Sequence, residues 1–244
     1  MRFESYAQEW EDLILYIALQ DVKKGFYIDV GANDPVHMNV TKAFYDRGWN
    51  GINIEPLRTK CMLLQNERAR DINLCVGIGS KREKLFLTAA DLASSFSTNI
   101  VEKSEMKNRN KYIKAILTLT DVYEQYCGSG QQVHFCKIDV EDYEKEVLGG
   151  VKDWNAFRPW IFVVESAIPG TSIPCYEKWE HILVDNGYLF AYSSKIERYY
   201  VDERHEYLLE RFHEIDKFIE NNEIVKMVME NIGKSVVYER LSRQ

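Results

Sequence analysis

Short apolar runs that end in an acidic residue recur along the chain and alternate with amphipathic segments. Four of these runs close at Asp29, Glu55, Asp139 and Glu165. Runs rich in β-branched and aromatic residues predict buried strands, and the segments between them carry apolar residues at helical spacing. Strands that alternate with helices pair in parallel and are covered on both faces. The sequence therefore predicts a doubly wound α/β fold with a mostly parallel sheet.

Turn and breaker residues delimit the individual elements. The predicted helices are Gln8–Gln20, Val36–Arg47, Leu57–Ala69, a helix capped by Thr120 and Asp121 that ends at Tyr126, a helix through Leu148, and Ile173–Asn186. The predicted strands are Phe26–Val30, Gly51–Ile54, Ile72–Ile78, Glu83–Thr88, Ile113–Leu119, Val133–Val140, Trp160–Glu165, Tyr188–Tyr192 and Arg198–Val201. Asp91–Lys111 lacks periodicity and predicts a loop or a small insertion.

The end of the chain differs in character from the rest. We expect residues 1–202 to form one catalytic-type domain that begins with the N-terminal helix. Residues 203–244 are charged and predict a helical extension that packs on this domain or pairs two subunits as a homodimer.

Charge and cysteine usage narrow the class of protein. A formal net charge of −7 opposes binding to nucleic acid, which calls for a basic face, and fits small neutral or sugar-like substrates better. The five cysteines are scattered and lack CxxC spacing, which predicts reduced thiols in a cytoplasm rather than a disulfide framework or a zinc site. The apolar run Leu13–Leu19 is too short to span a bilayer, so no membrane association is expected.

The turn after the first strand reads Asp29-Val30-Gly31-Ala32-Asn33-Asp34-Pro35. A dinucleotide fingerprint needs the glycines of GxGxxG, and only Gly31 is present, so NAD binding is disfavoured. S-adenosylmethionine (AdoMet) has no phosphate, and its ammonium group and ribose diol suit a turn with carboxylate and amide side chains. Glu55, at the end of the next strand, lies where an acid accepts both ribose hydroxyls. Asx caps at Asn33 and Asp34 are the purely structural alternative.

Several stretches, taken in order, resemble the FkbM-type methyltransferase family over Ser5–Asp202. They are Ser5–Leu15, Ile28–Asn33, Gly51–Pro56, Lys137–Glu141 and Phe162–Glu165. The resemblance implies a class I (Rossmann-like) AdoMet-dependent methyltransferase fold and, usually, O-methylation of a hydroxyl on a sugar or natural product. One departure is Asp142, which follows Glu141 where the family commonly has a small residue.

The resemblance also implies roles for individual residues. It places the methionine end of the cofactor at the first turn, the ribose at Glu55, the adenine edge at Cys75 and Val76, and a serine-containing closing loop at Ser94–Phe96. The implied cofactor-binding set is Asp29, Gly31, Ala32, Asn33, Glu55, Cys75, Val76, Ser95 and Asp139.

A sugar hydroxyl is a poor nucleophile at neutral pH and needs a base or a metal. Glu141, just beyond Asp139, is the first choice for the base, and His37, at the start of the predicted first helix, competes with it. A divalent ion bound by Asp139 and Glu165 is the alternative. The expected acceptor is a sugar, free or nucleotide-linked, for a surface glycan or secondary metabolite. N-methylation of a small amine and a non-catalytic binding protein of the same fold remain open.

Overall fold

The computed structural model of the chain describes residues 3–88, 95–97, 111–128, 130–220 and 237–238. Its strands are β1 (Phe3–Glu4), β2 (Phe26–Val30), β3 (Asn50–Ile54), β4 (Ile72–Leu74), β5 (Gly77–Ile78), β6 (Glu83–Thr88), β7 (Ser95–Ser97), β8 (Lys111–Leu117), β9 (Phe135–Ile138), β10 (Ile161–Glu165), β11 (Tyr188–Ser193), β12 (Glu197–Asp202) and β13 (Val237–Tyr238). Its helices are α1 (Glu11–Ala18), α2 (Lys42–Asp46), α3 (Arg58–Glu67), α4 (Leu119–Tyr126), α5 (Glu144–Leu148), α6 (Glu180–Val184) and α7 (Leu208–Glu220). Short 3-10 helices span Tyr176–Lys178 and Glu203–His205.

The main sheet confirms the predicted doubly wound fold. It has seven strands in the order β11-β12-β10-β9-β2-β3-β4. Neighbours from β4 to β10 are parallel, whereas β12 is antiparallel to both β10 and β11. The chain moves outward from β2 through β3 to β4 and later returns to β9 on the other side of β2. The topological switch point, where ligands bind in such sheets, therefore lies between β2 and β9.

Both faces of the sheet are covered. All five residues of β2 are buried, because alternate residues enter different layers. Ile28 belongs to the core cluster that includes Leu119 of α4 and Val147 of α5. Tyr27 belongs to the cluster on the opposite face, where Ile14 of α1 and Phe212 of α7 also lie. The predicted N-terminal helix, α1, thus covers one face of the sheet together with α7, which follows β12.

A second sheet interrupts the predicted pattern. It has the order β5-β8-β6-β7. The predicted strand Ile72–Ile78 divides in two, because β4 joins the main sheet and β5 pairs with β8 in the second. Ser95–Ser97, inside the predicted loop Asp91–Lys111, form a strand paired with β6. Residues 91–94 and 98–110 of that predicted loop lie outside the described residues.

Three predicted helix boundaries are wrong. The helix expected over Val36–Arg47 begins only at Lys42, because side chains bind the loop backbone in turns. Asp34 accepts the amide of Val36, and Asn39 donates to the carbonyls of Ala32 and Asp34. Thr118 caps α4 in a reciprocal capping box with Asp121, so of the predicted capping pair Asp121 takes part and Thr120 does not. The helix expected over Ile173–Asn186 is reduced to a 3-10 turn and α6, since Ala167 and Pro174 bridge as extended chain.

The part of the predicted tail that forms α7 packs on the main sheet. Leu208, Phe212 and Ile215 of α7 are buried in the same cluster as α1. Val237–Tyr238, which the sequence predicts as helix, form a strand that pairs with Phe3–Glu4. No helix within the described ranges is both long and apolar enough to cross a bilayer.

The expectation that all cysteines are reduced is wrong for one pair. Cys61 of α3 and Cys75, just after β4, form a disulfide with their Cα atoms 5.5 Å apart. Cys127, Cys136 and Cys175 carry free thiols. The bridge joins α3 to the strand that follows it, and linear spacing could not reveal this because it depends on how the chain folds back.

The disulfide gives a testable stability difference. The two cysteines are 14 residues apart, and closing a loop of this size stabilises a fold by about 3 kcal/mol. For a chain of this length we expect the oxidised protein to unfold about 6–12 °C above the reduced protein. Thermal unfolding followed by circular dichroism, with and without a dithiol reductant, measures the difference.

Matched variants identify the bridge. Cys61→Ala/Cys75→Ala should unfold like the reduced protein whether or not reductant is present, and Cys127→Ser should keep the response of the parent. A thiol titration of the unreduced, denatured chain that finds all five cysteines free would contradict the bridge.

Candidate active site

The turn after β2 touches the end of β9. Gly31 has a φ of +84°, a conformation that favours glycine, and a Cβ on it would overlap the carbonyl oxygen of Asp139. The amides of Gly31 and Ala32 both donate to the carbonyl of Ile54, at 3.0 and 3.1 Å. The single glycine of the motif is therefore needed because two strand ends meet here.

Glu55 joins the ends of β2 and β3. The side chain is 5% exposed, and its carboxylate accepts the amide of Asn33 at 3.0 Å and that of Leu57 at 2.7 Å. Burial raises the pKa of Glu55. Asn33 is exposed at the tip of the turn with a φ of +49°. The turn thus exposes the side-chain amide of Asn33 to solvent, above the buried carboxylate of Glu55.

Asp29 lies beneath this turn rather than on its surface. It is 1% exposed, and one carboxylate oxygen accepts the Thr41 hydroxyl at 3.1 Å. The other oxygen has no hydrogen-bond partner and lies 3.8 Å from the ammonium of Lys137. Burial raises the pKa of Asp29 against the opposing charge of that lysine. In this position Asp29 supports the turn from below.

A buried arginine that sequence reasoning missed holds the loop after the turn. Arg68 is fully buried and donates to Tyr27 Oη at 2.6 Å, Thr41 Oγ1 at 3.0 Å and Asn39 Oδ1 at 3.1 Å. It also donates to the Pro35 carbonyl at 3.2 Å and lies 3.2 Å from Asp71. These bonds explain why the loop departs from the predicted helix.

Lys137 lies within β9 and Asp139 directly follows this strand, at the switch point. Lys137 is 5% exposed and donates to Asp139 Oδ2 at 3.0 Å. The Asp139 side chain is 35% exposed, so it is accessible to solvent at the end of β9. The charges of Asp139 and Asp29 raise the pKa of Lys137 despite its burial. The ammonium therefore stays charged.

Further acidic side chains surround this pair. Together with Asp139 we call them the acidic cluster: Glu11, Asp139, Glu141, Glu144, Glu165 and Glu197. Burial and the charges of Asp139 and Glu144 raise the pKa of Glu165 to about 9. Glu141 is half-buried in the left-handed region, at a φ of +58°. Burial and the charge of Asp139 raise its pKa as well. These shifts are typical of groups that exchange protons in catalysis.

Three members of the acidic cluster were not predicted as site residues from the sequence. Glu197 stands opposite Glu165 in the β10–β12 pairing, and burial raises its pKa far above the usual value. Burial raises the pKa of Glu11, at the start of α1, and of Glu144 to about 7 each. No local signal marks Glu197, because it begins a strand that also contains Arg198 and Asp202.

The remaining predicted residues lie around this centre. His37 is exposed in the loop before α2, so it does not begin a helix. Cys75 and Val76 follow β4, beside Glu55, whose amide donates to the carbonyl of Leu74. Cys75 is bridged to Cys61. Ser95 lies in strand β7 of the second sheet rather than in a loop.

The metal route rests on Asp139 and Glu165. Within the described part of the chain, no group of three or more His, Cys, Asp or Glu side chains is arranged to hold a metal ion. Burial and the charge of Asp139 raise the pKa of Glu165 to about 9, so Glu165 is protonated at neutral pH, and a protonated carboxyl group is a poor metal ligand. Asp139 also binds Lys137. The two acids are thus engaged with a proton and an ammonium group.

Comparison with known proteins agrees with this geometry. The family model described as the methyltransferase FkbM domain matches residues 29–223. The match begins at Asp29, includes the switch point, and extends through α7. The search of curated proteins finds no significant match. The matched segment is most of the chain and contains six strands of the main sheet in full and the end of β2. The protein belongs to the FkbM methyltransferase family.

Proposed function

We propose that this methyltransferase transfers the methyl group of AdoMet to a hydroxyl of a carbohydrate, free or nucleotide-linked. The observation that carries the proposal is the contact between the Gly31 turn and the end of β9. It brings a polar turn that lacks the glycines for a pyrophosphate next to the acidic cluster. A group transfer requires donor and acceptor to be held side by side, and this junction supports such an arrangement.

The residues at the turn fit AdoMet. Asn33 offers an exposed amide for the amino-acid end. Glu55 keeps lone pairs beyond those used by two backbone amides, so its carboxylate can accept ribose hydroxyls. Cys75 and Val76 border the adenine side. When bound, AdoMet supplies an electrophilic methyl group on a sulfonium, and the chain has to orient it and exclude water.

The acidic cluster supports a hydroxyl acceptor, which needs a base. Glu141 is our choice, because it is half-buried, its pKa is raised towards neutrality, and its backbone lies in the sparsely populated left-handed region. Glu165 is protonated at neutral pH, since its pKa is about 9, so it does not compete with Glu141 as a base. In this proposal Glu141 accepts the proton that the acceptor hydroxyl loses.

Three alternatives are kept as outcomes of the tests. His37 is the competing base. A divalent ion on Asp139 and Glu165 would lower the pKa of the hydroxyl after displacing the proton of Glu165. The second candidate function is N-methylation of a small amine, which the surplus of carboxylates favours because they attract its ammonium form from solution. Once the ammonium has lost its proton to water, the neutral amine is a nucleophile that needs no strong base, so Glu141→Gln would remain active.

The ribose assignment predicts a loss of cofactor affinity in Glu55→Gln. The substitution removes a charged acceptor, and hydrogen bonds to charged groups contribute about 1.5–3 kcal/mol. We expect the Kd for AdoMet, measured by calorimetry, to rise about 10–100-fold. Glu67→Gln, an exposed position at the end of α3, is the control. An unchanged Kd in Glu55→Gln would remove Glu55 from the cofactor site.

The base assignment predicts that Glu141→Gln binds AdoMet normally but transfers slowly. General bases contribute about 10²–10⁴-fold to the rate. In the parent the rate should climb as the pH rises through the raised pKa of Glu141, because only the ionised form accepts a proton. That limb should disappear in Glu141→Gln and persist in Glu124→Gln, an exposed charge on α4.

The assay is incubation with AdoMet and a panel of sugars and nucleotide-linked sugars, followed by mass spectrometry for a methyl-sized gain. Product formed in the presence of a chelator would reject the metal route. Full activity of Glu141→Gln towards a sugar would show that another group is the base.

A further inference from the structure

Lys137 occupies an unusual place for a charged residue. It lies in the middle of β9, a four-residue strand whose other members are apolar, and all four are buried. It is the register partner of Asp29 on β2 and of Val163 on β10. A buried ammonium costs free energy unless it is paired, so its partners define what it does.

The partners of Lys137 belong to two different halves of the site. Its ammonium lies 3.8 Å from Asp29, which supports the turn of the proposed cofactor site, and 3.0 Å from Asp139, which faces the crevice. Glu11, Glu141 and Glu197 also lie within its field. One cation therefore offsets carboxylates on both sides of the switch point.

The turn at Gly31 contacts Asp139, and Lys137 donates to Asp139. The ammonium of Lys137 is therefore close to the place where the proposed site would hold the reacting atoms. Methyl transfer converts a cationic sulfonium into a neutral thioether. A fixed positive charge nearby disfavours the cationic donor relative to the neutral product, and therefore favours transfer. Removing that charge has the opposite effect.

We propose that Lys137 is a positioning residue that links the cofactor turn to the acceptor side, by holding Asp29 and Asp139 and by setting the charge that AdoMet meets. The inference rests on the proposed AdoMet-dependent function. A purely structural lysine would instead affect AdoMet and S-adenosylhomocysteine equally, since the two differ at the sulfur by one methyl group and one charge.

The test compares the affinities of these two ligands by calorimetry in Lys137→Met, Lys137→Arg and the parent. Coulomb's law at a protein-like dielectric predicts that Lys137→Met shifts the affinity ratio at least about fivefold in favour of AdoMet. Lys137→Arg keeps the charge and should stay within about twofold of the parent. Lys152→Met, an exposed lysine after α5, is the control for loss of a distant positive charge.

Asp139→Asn provides an independent arm, because it removes the opposite charge at a partly exposed position. Its ratio should move towards S-adenosylhomocysteine, and it decides the question if Lys137→Met does not fold. An equal change for both ligands in Lys137→Met, or an unmoved ratio in Asp139→Asn, overturns the inference. A parent protein that binds neither ligand contradicts the proposed function instead.

Discussion

A chain of buried polar contacts runs from the end of α3 to the crevice, and the geometry of the site depends on it. Arg68 donates to Thr41 at 3.0 Å, Thr41 bonds Asp29 at 3.1 Å, Asp29 faces Lys137 at 3.8 Å, and Lys137 donates to Asp139 at 3.0 Å. Charges this deep in a protein are tolerated only when each is paired, so no member can move without exposing its neighbour to an uncompensated cost. The loop after β2 and the end of β9 are thereby held in fixed positions.

This arrangement is the structural basis of the methyl-transfer site that we propose on the doubly wound sheet. The fold supplies a switch point between β2 and β9, and the glycine at position 31 lets the two strand ends touch. Glu55 closes the proposed cofactor side by binding two backbone amides. On the other side, burial and the neighbouring carboxylates raise the pKa of Glu165 and Glu141. The raised pKa makes Glu141 a stronger base at the place proposed for the acceptor hydroxyl.

The sequence predicts the ends of the buried strands well. It predicts the loops and the contacts between distant residues poorly. Asp29, Glu55, Asp139 and Glu165 could be predicted because an apolar run followed by an acid marks the end of a buried strand. The loop before α2 was misread, because its helix-like pattern does not reveal that Asn39 binds the carbonyls of Ala32 and Asp34. The disulfide, the Arg68 contacts and the role of Lys137 depend on pairings between residues far apart in the chain, which no local pattern encodes.

The central claim is that donor and acceptor meet over the carboxyl ends of β2 and β9. A crystal structure of the full chain with S-adenosylhomocysteine tests it most directly. We expect the ribose to lie against Glu55 and the sulfur to lie above the junction of Gly31 and Asp139. A ligand bound away from this junction, with Glu55 contacting only backbone amides, would contradict it.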